Sequence, residues 1–259
     1  MNNSQLYIAF AFTFLIFSCE KVIDIDLNSA PNKVVIEGII NNQPGPYYVR
    51  LSKSIGFSQP NNSTPMISGA SVIIIDNAGV LDTLMESSPG VYATTKIIGV
   101  SGRTYELNVT INGQKFVAVS KMPNQVLMDS LSLTYIPFGG GSDQAFATPN
   151  FRDAVEQGNN YRFVTKINQK QDKNNIVDND NIGNGTGYNR PVFSDKELKK
   201  GDSVEVEMQC IDRNVYNYFF TLANTDQGVT PSNPPTNIQG DCLGYFSAHT
   251  SQKKSIIVP

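Results

Sequence analysis

The sequence is poor in the residues that metal sites and many catalytic sites use. Its 259 residues include no tryptophan, one histidine (His249) and three cysteines, Cys19, Cys210 and Cys242. Any histidine-based triad or two-histidine metal site would therefore have to be built around one side chain, and no cysteine spacing supports a zinc site. His249 itself follows a strand pattern, so we expect a solvent-facing or hydrogen-bonded histidine rather than a general base.

Motifs for catalysis and cofactor binding are missing as well. The sequence contains no Gly-x-Ser-x-Gly, and the glycines at 139–141 lack the lysine and helix of a phosphate-binding loop. No spacing defines a pair of carboxylates for glycoside hydrolysis. We therefore predict that the chain is not an enzyme and has no metal and no cofactor.

Charge is scarce and slightly acidic. Charged residues make up 17% of the chain, and the formal net charge is -3. Without a Lys/Arg cluster there is little to attract a phosphate backbone, so the composition excludes nucleic acid as an expected partner. Hydrophobic residues make up 40%, which is enough for buried cores, and the length allows two modest domains.

Long apolar runs are missing except at the N-terminus. Residues 6–17 are apolar apart from Thr13, and this run is shorter than the roughly 20 residues that a spanning helix needs. The border at residues 16–19 reads Ile-Phe-Ser-Cys, which resembles a bacterial lipobox, where the thiol takes a diacylglycerol as a thioether. We predict a lipoprotein signal peptide over residues 1–18 and lipidation of Cys19. A plain secretory signal and an uncleaved anchor are the alternatives.

A lipid anchor on Cys19 would determine the cellular location of the protein. One acyl chain holds a protein only marginally, at about 0.8 kcal/mol per buried CH₂, but the two or three chains of a lipoprotein, palmitate among them, hold it stably. Glu20, Asp24 and Asp26 follow the cysteine, which is similar to the surface-export signals of Bacteroidetes lipoproteins. We predict an outer-membrane lipoprotein with a tether over residues 19–32; the leaflet is left open.

Strand patterns dominate the next segment, residues 33–123. Runs rich in β-branched and aromatic residues alternate with turn residues, as half-buried strands prefer. Asn112 and Gly113 between two such runs are the strongest short hairpin signal. Six or seven short strands without a helical period predict an immunoglobulin-like β-sandwich over residues 33–123.

A second β-rich domain is predicted over residues 128–259. Pro123 marks the boundary, and residues 202–212 alternate cleanly between apolar and polar side chains, as a half-buried strand does. The predicted fold class is therefore mainly β: an N-terminal immunoglobulin-like sandwich followed by a second β-rich domain with one aromatic-rich helix.

The helix is predicted over about residues 213–225, with Asp212 or Asn214 as its N-cap. The residues that share one face at helical spacing are Tyr216, Phe219, Phe220 and Ala223. Because apolar residues cover more than half of the circumference, we predict that the helix is buried in a core. An aromatic binding groove is the functional alternative.

Cys210 and Cys242 flank this helix. Because the cell envelope is oxidising, we predict a disulfide between these two cysteines. It would close a loop of roughly 30 residues and contribute about 3 kcal/mol to the free energy of unfolding in the chain-entropy model. Two buried free thiols are the alternative.

One polar segment resembles the start of a calcium loop. Asp178, Asp180 and Gly183 fall on positions one, three and six of an EF-hand loop. Position five is Ile182, which offers no oxygen, and position twelve is Asn189 rather than glutamate. We therefore predict a hydrated polar loop and no metal there.

Several stretches together resemble one family. They are "CEKVIDIDL", "KVVIEGIINNQPGPYYVRLSKS", "CIDRNVYNYFFTLANTDQ" and "PPTNIQGDCLGYFSAHT", and they resemble the DUF4249 lipoproteins of Bacteroidetes over nearly the whole chain after Cys19. The resemblance implies a cell-envelope lipoprotein of a family that is often encoded beside TonB-dependent outer-membrane receptors. It implies no established activity and supplies no catalytic residues.

These observations lead to one functional expectation and one alternative. We expect an outer-membrane-anchored binding or accessory component that acts with a TonB-dependent receptor in nutrient capture or uptake, with an unknown ligand. The alternative is a structural or adhesion protein of the envelope without a small ligand. An envelope hydrolase would require a cleft of converging carboxylates.

Overall fold

The structure is a computed structural model that describes residues 32–55, 64–137, 143–180, 183–226 and 233–259. The predicted signal peptide, Cys19 and all but the last residue of the predicted tether lie outside these residues. Within the described ranges, no helix is long and apolar enough to cross a membrane.

Strands make up most of the described chain, and this confirms the mainly β prediction. The strands are β1 (Val34–Asn41), β2 (Tyr48–Lys53), β3 (Ser71–Asp76), β4 (Leu81–Thr83), β5 (Met85–Ser88), β6 (Val91–Ala93), β7 (Thr104–Ile111), β8 (Gln114–Lys121), β9 (Met128–Ile136), β10 (Gln144–Arg152), β11 (Asn160–Ile167), β12 (Lys170–Gln171), β13 (Ile176–Asn179), β14 (Gly187–Tyr188), β15 (Ser203–Ile211), β16 (Ile238–Gln239) and β17 (Cys242–Ile257). Helix α1 (Arg213–Asp226) lies between β15 and β16.

Two facing sheets form the first sandwich. One contains β5, β6, β2 and β1 in that order, and the other contains β4, β3, β7 and β8 in that order, with the short β16 paired to the outer side of β8. These orders correspond to the D-E-B-A and C′-C-F-G sheets of immunoglobulin domains. The strand order therefore confirms the immunoglobulin-like prediction for this part of the chain.

The first core lies between these two sheets. Ile36 and Leu51 come from one sheet. Ile74, Leu107 and Phe116 come from the other, and all five side chains are at most 1% exposed. Strand alternation places them on the inner faces, where each buried side chain of this size contributes about 1.5–3 kcal/mol.

Tyr105, near the start of β7, ties the first sandwich together. Its hydroxyl accepts a hydrogen bond from the N–H of Val100 at 2.6 Å and donates one to the C=O of Ile98 at 3.2 Å. A tyrosine at the start of strand F that bonds to the backbone a few residues upstream is a hallmark of immunoglobulin-like domains.

β17 belongs to both sandwiches. Its first half, from Cys242 to His249, pairs parallel with β1, and its second half, from Thr250 to Ile257, pairs antiparallel with β15. β15 pairs with β11, and β12 and β13 pair with the other side of β11. One nine-stranded sheet therefore runs through both halves of the described molecule.

The second core lies between the β11–β15 half of this sheet and a smaller sheet of β14, β10 and β9. Val204, Val206 and Met208 point into it from β15. Ala147 and Phe151 meet them from β10. The alternation predicted for residues 202–212 is confirmed, because these even-numbered positions are all buried.

The shared strand also crosses the predicted domain division. Phe246 and Ala248 pack in the first core, although the sequence assigned them to the second domain, residues 128–259. Parallel pairing with β1 brings them there, and Gly244 permits the close approach: its φ is +101°, and a Cβ at this position would lie 2.0 Å from the carbonyl oxygen of Ile36. A cut along the sequence therefore does not separate the two cores.

Helix α1 begins at Arg213, as predicted, and ends at Asp226, one residue later than predicted. Asp212 is the N-cap: its Oδ1 accepts hydrogen bonds from the N–H groups of Asn214 at 2.9 Å and Val215 at 3.0 Å. Such caps satisfy donors that have no partner within the helix.

The helix packs on the sheet face opposite the second core. Val215, Tyr216 and Phe219 are buried there in one cluster with Ile211 at the end of β15. Phe220 is 49% exposed, so its predicted burial is wrong. The physical reason is that α1 lies over β13, the outermost strand of this sheet, and the sheet does not extend far enough to cover the whole apolar arc.

Candidate ligand-binding site

A cleft of about 560 Å³ lies where the two sandwiches meet. Its walls come from the end of β8, the linker at 123–126, the loop at 154–160 and the β15–α1 junction. Ligand sites often lie at the junctions between domains, with volumes of about 300–1,000 Å³. The end of β8 and the linker are continuous in sequence and form one wall. This wall, the loop and the β15–α1 junction are distant from one another in sequence, so only the folded chain assembles the cleft.

The linker wall is held by hydrogen bonds to the first sandwich. Pro123 follows β8 closely and has no N–H with which to extend the ladder. The N–H of Gly102 donates to the C=O of Met122 at 2.9 Å, and Ser101 Oγ donates to the C=O of Pro123 at 3.0 Å. The chain therefore leaves β8 in a defined direction.

The loop wall is held by one carboxylate. Asp180 Oδ2 accepts hydrogen bonds from the N–H groups of Gly158 at 2.5 Å and Asn159 at 3.0 Å. Asn160 Nδ2 donates to the C=O of Gly158 at 2.8 Å. Gly158 has a φ of +93°, which glycine adopts without strain.

The third wall begins at the helix cap. Ser120 Oγ on β8 donates a hydrogen bond to Asp212 Oδ2, and the same hydroxyl accepts one from the N–H of Ala248 at 2.9 Å. Ser120 is buried. One serine therefore connects the first sandwich, the shared strand β17 and the start of α1.

Arg213 is positioned at this wall by two contacts. Its Nη1 donates to Asn160 Oδ1 at 3.3 Å, and its guanidinium carbon lies 5.2 Å from the centre of the Tyr216 ring. A cation over an aromatic face is attracted by the ring quadrupole. The guanidinium is held against two neighbours and still offers further N–H donors to a ligand.

The charges of the cleft are balanced. Lys121 and Arg213 supply two positive charges, and Glu156 and Asp212 supply two negative ones. The amide side chains that line the cleft are Asn124, Gln125, Asn159 and Asn160. Amides offer donors and acceptors together, so the cleft fits a polar ligand that is neutral overall.

Cys210 lines the inner part of the cleft as a neutral thiol. It is buried, and its Sγ accepts a hydrogen bond from the N–H of Val126 at 3.4 Å. Burial raises the pKa of the Cys210 thiol. Since the thiolate is the nucleophilic form, this residue is a structural cysteine and not a reactive one.

The predicted disulfide between Cys210 and Cys242 is wrong. Both thiols are free and buried, and Cys210 pairs with Thr250, eight residues beyond Cys242 on β17. At about 3.3 Å per residue this places the two cysteines about 26 Å apart, whereas a disulfide needs Cα atoms within about 7 Å. The alternative of two buried free thiols is correct.

His249 is buried on β17, on the sheet face opposite the two cores. Its Nδ1 lies 2.9 Å from Ser247 Oγ, and only 2% of the residue is exposed. Burial lowers the pKa of His249 to about 4; the nearby Glu207 opposes this shift and Arg162 adds to it. The histidine is therefore neutral at pH 7 and lies outside the cleft.

The calcium-like segment directs its carboxylates to protein groups. Asp178 Oδ2 accepts hydrogen bonds from Arg190 Nη1 at 2.8 Å and from the Tyr188 hydroxyl at 2.9 Å. Asp180 bonds to the cleft loop, as described above. Within the described ranges, no three His, Cys, Asp or Glu side chains are grouped as metal ligands. The segment serves as a polar scaffold for the cleft loop.

Sequence reasoning did not identify the residues of the cleft. Lys121, Glu156 and Arg213 carry no motif, and they lie in three different parts of the chain. The available signal was the break at Pro123, since a junction between two predicted domains is a common position for a ligand site.

Comparisons with known proteins identify a family but no activity. No curated protein matches the chain. The crystal structure of the selenomethionine-substituted chicken interferon gamma receptor alpha chain is similar at 11% sequence identity and a TM-score of 0.27, over 88% of this chain and 98% of that chain, and a likeness at this level carries no argument. The family model described as "Domain of unknown function (DUF4249)" matches residues 20–255. The chain therefore belongs to the DUF4249 family, which its motifs resemble.

Proposed function

We propose that the protein is a ligand-binding component of the cell envelope, anchored to the outer membrane through Cys19. It holds a small polar ligand in the cleft between its two sandwiches and works with a TonB-dependent receptor in nutrient capture or uptake. The cleft is the observation that carries the binding role. The lipobox-like border at residues 16–19 carries the anchor.

The rigidity of the cleft walls supports binding. Hydrogen bonds donated by the Ser101 and Ser120 hydroxyls, and one accepted by the Asp180 carboxylate, hold the three walls in place. A site that is ordered before the ligand arrives loses less conformational entropy on binding. The balanced charges select against strongly charged ligands such as polyphosphates.

The raised pKa of the Cys210 thiol and the position of His249 favour binding over catalysis. The Cys210 thiol has a raised pKa, and His249 lies away from the cleft with its Nδ1 beside Ser247. A nucleophile and its base must lie within hydrogen-bond reach of each other. Neither residue meets that condition in the cleft.

Binding is tested with a screen and a matched pair of variants. The probes are panels of oligosaccharides, short peptides and metal chelates, measured by thermal shift and then by titration calorimetry. For any compound that binds, we expect Lys121→Ala and Arg213→Ala each to weaken the affinity at least tenfold, because each removes a charged donor from the cleft wall. Lys115→Ala is the control: it removes an exposed lysine from the same strand, β8, outside the cleft.

Two results would contradict the binding role. Flat responses to every probe would favour the alternative of a structural or adhesion protein. A compound whose affinity is unchanged by both cleft variants would bind elsewhere, and the cleft would lose its assignment.

The anchor has its own test. Cys19→Ala should move the protein from the membrane fraction to the soluble fraction, because the thiol is the group that accepts the lipid. Intact-mass analysis of the wild-type membrane fraction should show a chain that begins at Cys19 with acyl chains added. An unmodified cysteine, or membrane retention of the variant, would overturn the anchor.

The receptor partnership rests on the family resemblance. The native protein, extracted in mild detergent and captured by an antibody, should retain a TonB-dependent receptor. If no outer-membrane receptor is retained, this part of the proposal fails while the cleft assignment stands.

A further inference from the structure

The charged groups of the cleft differ in what they already bind. Asp212 has both carboxylate oxygens occupied, because Oδ1 accepts the two capping hydrogen bonds of α1 and Oδ2 accepts one from Ser120. The Glu156 carboxylate and the Lys121 ammonium have no hydrogen-bond or ion-pair partner within the described ranges. The charged groups that remain for a ligand are therefore one carboxylate, on Glu156, and two cations, on Lys121 and Arg213.

Arg213 has a carboxylate-binding edge that no described group of the protein uses. Its Nη1 donates to Asn160 Oδ1 at 3.3 Å, and the Tyr216 ring lies 5.2 Å from the guanidinium carbon. Its Nε and Nη2 atoms make no hydrogen bond within the part of the chain that the structure describes. These two atoms form a fork that matches the two oxygens of a carboxylate. The contacts with Asn160 and Tyr216 hold this fork in position.

Glu156 is held on the adjoining loop wall. Asn159 Nδ2 donates to the C=O of Glu156, and the N–H of Asn159 donates to Asp180 Oδ2 at 3.0 Å. Glu156 and Arg213 line the same cleft but form no ion pair with each other. A carboxylate accepts hydrogen bonds from an ammonium group. A ligand that carries both charges can therefore bridge the two walls.

The linker wall contributes amides. Gln125 Oε1 accepts a hydrogen bond from Asn42 Nδ2 at 3.2 Å, which leaves the Nε2 donors of Gln125 available. The Asn124 side chain makes no hydrogen bond to any described residue. A peptide group has one donor and one acceptor, which these amides complement.

The cleft has no open aromatic surface on which the apolar face of a sugar ring could stack. Among the described residues that line it, Tyr161 is the one aromatic residue, and it is 1% exposed. Two opposite charges and free amides therefore fit a peptide better than an oligosaccharide.

We propose that the ligand of the cleft is a short peptide with free termini, which places its carboxylate on Arg213 and its ammonium group on Glu156. Such a peptide is neutral overall, as the balanced charges of the cleft require, and its peptide groups bond to Asn124 and Gln125. The volume of about 560 Å³ lies in the range of small-molecule sites. This inference rests on the ligand-binding role proposed above and names the class of ligand.

The test uses the full-length protein in detergent and three pools of tripeptides. One pool has free termini, one is N-acetylated and one is C-amidated. Peptides retained with the protein on ultrafiltration are identified by mass spectrometry, and the best binder is titrated by calorimetry. We expect retention from the pool with free termini, and an affinity at least tenfold lower after either modification, because each removes one charge that the cleft pairs.

Matched variants assign each terminus to its residue. Glu156→Gln should weaken the free peptide at least fivefold and leave the N-acetylated peptide unchanged, because that ligand has no ammonium group. Arg213→Gln should weaken the free peptide and leave the C-amidated peptide unchanged. Such non-additivity is the sign of a direct pair. Glu197→Gln and Arg50→Gln, which change exposed residues outside the cleft, are the controls and should bind the free peptide as the wild type does.

The outcomes separate this inference from the binding role itself. Failure to retain any tripeptide, equal affinity for the free and modified forms, or additive effects of variant and modification would overturn the peptide assignment. An oligosaccharide or metal chelate that is weakened by Lys121→Ala and Arg213→Ala, with no peptide bound, would keep the cleft as a ligand site and reject the peptide. Flat responses to every probe, peptides included, would reject both.

Discussion

Between pH 6.5 and pH 4, the burial of His249 will lower the free energy of unfolding by roughly 3 kcal/mol. The pKa of this histidine is about 4 in the folded protein, below its ordinary value of 6.5. As the pH falls through 6.5, the unfolded chain binds the proton first. The unfolded state is then favoured, by about 1.4 kcal/mol for each pH unit, until the folded protein also binds the proton near pH 4.

The cause lies in the surroundings of the ring. Burial removes the imidazolium from water, which is the largest effect. Glu207 on β15 opposes the shift, and Arg162 on β11 adds to it. The carboxylate of Glu207 is already occupied by Ser251 Oγ and Gln209 Nε2, each at 2.8 Å. Above pH 6.5 the imidazole is neutral in both the folded and the unfolded state, so the burial of His249 does not lower the free energy of unfolding there.

The chain contains one histidine, so a single variant isolates the effect. His249→Asn keeps a polar group that can bond to Ser247, and it does not titrate. Urea denaturation of both proteins at several pH values should show the wild type losing stability relative to the variant between pH 6.5 and 4. Parallel stability curves, or an NMR titration of His249 near pH 6.5, would refute this prediction.

Replacing Asp82 with alanine will destabilise the protein by about 3–5 kcal/mol. Asp82 on β4 is fully buried. Its carboxylate accepts hydrogen bonds from the N–H groups of Thr95, Lys96 and Ile97 at 2.6–2.9 Å, and from Thr95 Oγ1 at 2.7 Å. Alanine leaves these donors without an acceptor in a partly buried corner of the first sandwich.

The lowered pKa of the Asp82 carboxyl also indicates that this side chain stabilises the folded state. Burial raises the pKa of its carboxyl, but the hydrogen bonds from Lys96, Ile97 and Thr95 outweigh burial, and the pKa lies below its ordinary value. The folded state therefore favours the ionised carboxylate. Its contribution is present above the unfolded pKa of about 3.8 and is lost as the pH falls through the folded value.

Two further variants serve as controls for Asp82→Ala. Asp82→Asn keeps one acceptor oxygen and should cost less than alanine. Asp241→Ala removes an exposed carboxylate that pairs with Lys33 at 2.6 Å, and it should cost less than about 1 kcal/mol, because exposed ion pairs contribute little. Chemical denaturation at pH 7 measures all three. Equal costs for Asp82→Ala and Asp241→Ala would show that the buried acceptor is unimportant.

Many local features follow from the sequence because short-range geometry decides them. Asn112 and Gly113 both have positive φ and connect β7 to β8, as the hairpin signal predicted. The alternation at residues 202–212 identified β15. The aromatic periodicity with Asp212 as cap identified α1 to within one residue at its end. Short sequence motifs also identified the DUF4249 family.

The same local patterns determined the mainly β class and the immunoglobulin-like character of the first sandwich. Tertiary structure alone decided the parallel pairing of β1 with β17, the separation of Cys210 from Cys242, the exposure of Phe220 and the assembly of the cleft. The physical reason is that periodicity shows which side chains of a strand or helix share a face. The packing of the whole chain decides which distant strand pairs with a given strand, and in which register.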